Sequence, residues 1–156
     1  MRVKKISFLA IILIFCVQNL SLAASIEITT GSKSNEGIKA SSGRWLKNGS
    51  LVQFIRTGSG VPCPPDREGN PSSPDELISE TEIGYNFPFT RDQGKFDFQV
   101  WAGGEEKIYV RAWDGKERYG DSEVYTVEGI NGEIWNIGGE ENKPAFRTEK
   151  KVSKVK

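Results

Sequence analysis

The chain has 156 residues, equal numbers of basic and acidic side chains, two cysteines and no histidine. The missing histidine excludes Ser-His-Asp and Cys-His catalysis, histidine zinc centres and histidine-ligated haem. The zero net charge conceals an asymmetry. Residues 24–138 carry 12 basic and 18 acidic side chains, and residues 139–156 carry 6 and 3. An acidic body argues against nucleic acid as a partner.

The first residues read as a targeting signal of bacterial type. "MRVKK" is a basic start, Ile6–Val17 is an apolar run, and Ser21–Ala23 ends in small residues suited to a signal peptidase. The run is shorter than the roughly 20 residues a membrane span needs. Cleavage after Ala23 is therefore expected, with export to the periplasm or cell exterior and no stable membrane insertion afterwards. Cys16 follows "LIF" and does not fit a lipid-anchor signal. Its loss leaves Cys63 alone, without an internal disulfide partner and without a neighbouring basic cluster to activate it.

Beyond Ala23 the pattern is β. Ser25–Thr30 alternates and is rich in β-branched residues, Gly31–Gly43 reads as loop, and Asn48-Gly49 marks a turn before the strand Leu51–Arg56. "VPCPPDREGNPSSPDE", Val61 to Glu76, reads as a proline-stiffened connection that cannot pair as a strand. Glu76–Phe87 predicts a strand ending in a glycine turn. In "GKFDFQVWAGG", Phe96, Phe98 and Val100 face one way, and Asp97, Gln99 and Trp101 the other. In "KIYVRAW", Ile108, Val110 and Ala112 oppose Tyr109, Arg111 and Trp113. Asn131-Gly132, between "SEVYTVEGI" and "EIWNI", predicts a further hairpin. Outside the leader no segment has a sustained helical period. The expected organisation is a leader over 1–23, an all-β antiparallel sandwich over 24–138 with an added C-terminal hairpin, and a disordered basic tail over 139–156.

The segment Lys107–Val127 resembles the last hairpin of fibronectin type III and related immunoglobulin-like domains, through "VRAWDG" and "GDSEVYTV". The resemblance covers about 21 residues. It implies a fold and carries almost nothing about function. Those domains usually place a tyrosine on the inward face at the start of this strand. Here, with Val110 and Ala112 inward, Tyr109 falls on the outer face.

Three candidate sites follow. Asp66, Glu68, Asn70 and Asp75 in the proline loop offer oxygen ligands of the kind calcium takes, although Pro71 stands where an EF-type loop needs glycine. Calcium is the sole cofactor candidate. Trp101, Tyr109, Arg111 and Trp113 would form a flat aromatic face, able to stack on a polysaccharide or anchor a protein partner. The alternative is that these rings pack beneath the added hairpin or the N-terminal segment, with Arg111 stacked on one of them. Carboxylate-based hydrolysis is the third option, but no acid stands out by context. The expected role is an exported, non-catalytic module for binding or structural assembly. The alternatives are a carbohydrate-binding module and a small hydrolase.

Overall fold

A computed structural model of the chain describes residues 23–31, 36–86, 93–137 and 147–152. Most of the expected leader lies outside these residues. The described chain is built of eleven strands: β1 (Ala24–Thr29), β2 (Lys39–Ala40), β3 (Leu51–Arg56), β4 (Glu76–Glu82), β5 (Asp97–Ala102), β6 (Lys107–Asp114), β7 (Arg118–Asp121), β8 (Tyr125–Thr126), β9 (Glu133–Asn136), β10 (Arg147–Thr148) and β11 (Lys150–Lys151). A three-stranded sheet runs β5-β1-β9. A six-stranded sheet runs β11-β7-β6-β3-β4, with β8 also on β6, and β10 pairs with β2. The two main sheets are mostly antiparallel and open at their edges, as the all-β sandwich expectation requires.

The predicted alternation sets the core. Ile26, Ile28, Val100 and Ala102 of the small sheet and Val52, Phe54, Ile108, Val110 and Ala112 of the large one are buried in a single cluster. Phe54 joins the layers: its ring stacks on Phe98 at 5.2 Å and meets Phe96 edge-on at 5.8 Å. Such contacts add about 1 kcal/mol each to the area they bury. Ile38, within the Gly31–Gly43 stretch expected to be loop, also belongs to this core, as does Leu46 just beyond it. Gly94 makes that possible. Its φ is +63°, and a Cβ there would collide with the Ile38 carbonyl.

β7 and β8 are two halves of one strand beside β6. Ser122 bridges the gap between them: its N–H donates to the Val110 carbonyl at 2.8 Å and its hydroxyl accepts from the Val110 N–H at 2.9 Å. The ladder thus continues through a side chain where the backbone bends away.

Two expectations change. The Asn131-Gly132 turn is present, but the strand after it crosses to the other sheet and pairs in parallel with β1. The reason lies in Asn131, whose side-chain oxygen accepts from the Ser25 hydroxyl at 2.6 Å and the Ser25 N–H at 3.2 Å. The turn is thereby tied to β1 instead of closing back on β8. Of the expected tail, residues 147–152 are described and paired, β10 with β2 and β11 with β7, with Thr148 fully buried, and the rest lies outside the described residues. Backbone pairing to an open sheet edge recruits this segment, although it has few apolar side chains.

Candidate functional site

The large sheet has a second buried layer on the face turned away from the core. Ile55, Tyr109 and Arg111 are fully buried there, and Trp113 and Tyr119 nearly so. The cover is the proline-rich stretch between β3 and β4. It folds back over the sheet and is held by side chains beneath it. The Asp75 carboxylate accepts from the Tyr109 hydroxyl at 2.9 Å, the Cys63 N–H at 2.8 Å and the Gly58 N–H at 3.3 Å. Arg111 donates to the Cys63 carbonyl at 2.6 Å and, through Nε, to Asp121 at 2.7 Å. Its guanidinium lies 4.7 Å from the Tyr119 ring centre and 5.4 Å from that of Tyr109. Lys150 of β11 adds a second cation at Asp121, 2.8 Å away. Trp113 is fixed by a bond of 2.9 Å from its indole N–H to Gln53.

Tyr109, Arg111 and Trp113 therefore do point away from the core, as alternation predicts, but they form no exposed patch. The loop covers them, and Trp101 lies on β5 of the other sheet. Trp101 alone of the four is exposed, at 59%. It shares the outer face of the small sheet with Gln99 and with Glu27 of β1.

The calcium expectation is corrected as well. Asp66 accepts from the Asn70 N–H at 2.8 Å and from its side-chain amide at 3.1 Å, so these two residues satisfy each other in a tight turn. The Asn70 contacts hold the Asp66 carboxyl below its usual pKa. Glu68 is exposed, and Asp75 points under the loop. No group of three acidic or cysteine side chains among the described residues is placed to hold a metal.

The turn at 66–70 has another role. Together with the segment 44–50 and the end of β6 with its following turn, residues 113–116, it walls a groove of about 1010 Å³. Leu51, Gln53 and Glu80 form its floor, and Trp113 stands at the back. Gly69, at φ +93°, passes directly over the Trp113 indole, an approach and backbone angle that favour glycine. Each wall carries a cation: Arg44 and Lys47, then Arg67, then Lys116. Among the described residues none of these four forms an ion pair, whereas Arg56, Arg111 and Lys150 are each paired. None of the groove cations stood out in the sequence, because each sits in an ordinary polar turn. Asp121 was open to inference: a three-residue turn at 115–117 places it directly opposite Arg111.

Burial raises the pKa of Tyr109, Tyr119 and Tyr125, with Arg111 opposing the shift at the first two. In the unfolded chain these tyrosines ionise near pH 10, so their contribution to stability is intact below about pH 10 and lost as pH rises beyond it. The denaturation midpoint is expected to hold to about pH 9 and then to fall, less steeply in Tyr109→Phe. A flat midpoint to about pH 11.5 would contradict this burial.

No protein-family model, curated protein or solved structure matches the chain.

Proposed function

We propose that this chain is an exported, non-catalytic β-sandwich module of immunoglobulin-like or fibronectin type III-like kind, which binds its partner in the periplasm or at the cell surface. The leader pattern supports export. The order β7-β6-β3 supports the finer fold reading, since an immunoglobulin-like sandwich places its F strand between C and G in this way. The observation that carries the binding role is the groove: three separate segments of chain meet over one rigid sheet and present unpaired charge around a concave surface.

Retention of the purified domain on cell-envelope fractions tests this. Wild type is expected to be retained, and Arg67→Glu/Lys116→Glu to be lost while keeping the same melting temperature. No retention of wild type, or equal retention of both, removes the groove from consideration.

A second reading rests on Trp101. Tryptophan is seldom this exposed, and with Gln99 and Glu27 beside it the ring could stack on a neutral sugar. Trp101→Ala should then abolish binding to insoluble neutral polysaccharide, with the groove variant unaffected. Unchanged binding by Trp101→Ala sinks that reading.

A further inference from the structure

We infer that the groove over the large sheet is a site for an acidic oligosaccharide, one whose carboxylates are spaced along a hydroxyl-rich chain. The inference rests on the groove's being the binding site and names its ligand class. Arg44, Lys47, Arg67 and Lys116 reach the groove from three walls and have no carboxylate partner among the described residues. This gathering stands out in a body whose charge is otherwise acidic, with 12 basic against 18 acidic side chains over residues 24–138. Unpaired guanidinium and ammonium groups around a concavity select anions, and arginine can engage a carboxylate through two parallel bonds.

The same surface also excludes one kind of anion. Glu68, Glu80 and Asp114 stand among the cations. A heavily sulfated chain, with several charges on each sugar, would bring negative charge against these acids at every position. A uronate chain carries one carboxylate per sugar, with hydroxyls between. Those hydroxyls can donate to Glu68, Glu80 and Asp114, which line the groove. Leu51, 37% exposed on the floor, gives the apolar edge of a sugar ring a surface to rest on.

Calorimetric titration of the full domain with oligogalacturonate tests the inference, with the carboxyl-reduced oligomer as its neutral counterpart. The acidic oligomer should bind at least about tenfold more tightly, the value of one charge-assisted contact. Arg67→Glu/Lys116→Glu should lose that preference. Lys107→Glu/Lys151→Glu, the same charge change on residues outside the groove, should keep it. Equal affinity for the two oligomers overturns the inference, as does equal loss in both double variants. Tighter binding of dextran sulfate than of oligogalacturonate overturns it too. Failure to bind oligogalacturonate at millimolar concentration ends the sugar assignment alone, because groove-dependent retention on envelope fractions is measured separately.

Discussion

Arg111→Met is expected to lower the unfolding free energy by about 3–5 kcal/mol, the usual cost of breaking a buried ion pair from one side. The Asp121 side chain is 3% exposed, so without the guanidinium its charge stays almost fully desolvated. Lys150 relieves only part of this, because its own side chain is 55% exposed and strongly hydrated. The Cys63 carbonyl loses its donor, and the tyrosine rings on either side lose the cation between them. Urea denaturation measures the effect, and a second variant isolates its cause. Arg111→Met/Asp121→Leu should recover much of the loss, since replacing both charges with apolar groups removes the stranded carboxylate. A single-variant loss below about 1 kcal/mol would mean that water reaches the pair.

Asp75→Ala is expected to cost about 2–4 kcal/mol, because a buried donor left alone costs about 1–3 kcal/mol and, of the three donors Asp75 satisfies, only the Tyr109 hydroxyl is fully buried. Tyr109→Phe removes one of those bonds without stranding a donor and should cost about 1 kcal/mol. The difference between the two variants is informative. Asp75 also holds the backbone of Gly58 and Cys63, so its loss frees the loop itself. Trypsin should then cut after Arg67 faster in Asp75→Ala than in Tyr109→Phe. Equal cleavage rates would show that the loop is held by other contacts.

Alternation made the strands of the core legible: Ile108, Val110 and Ala112 face inward as the pattern requires, and Tyr109, Arg111 and Trp113 face the other way. Facing outward is a property of a strand, however, and exposure depends on whatever else packs there. The bonds from Asp75 to Tyr109 and from Arg111 to Cys63 join residues 34 and 48 positions apart, and no local pattern encodes that. The prolines correctly predicted a segment unable to pair as a strand. They did not predict that it would return as a cover. Asn131-Gly132 was likewise a true turn signal with a misread destination, because the deciding bond goes to Ser25 at the far end of the chain. The groove was the least legible feature. Its walls come from turns at 44–48, 66–70 and 113–116, and only the sheet beneath brings them together.

The placement of β1 has a consequence for how the molecule is made. β1 is the middle strand of the small sheet, yet its partners are β5 and β9, so Ile26 pairs with Val100 and Glu133. Residues 26–29 thus wait for residues 133–136 before their sheet can close. Contacts this distant in sequence pay loop-closure entropy first and slow the approach to the native state. Under the export proposed above, that delay would keep the chain threadable.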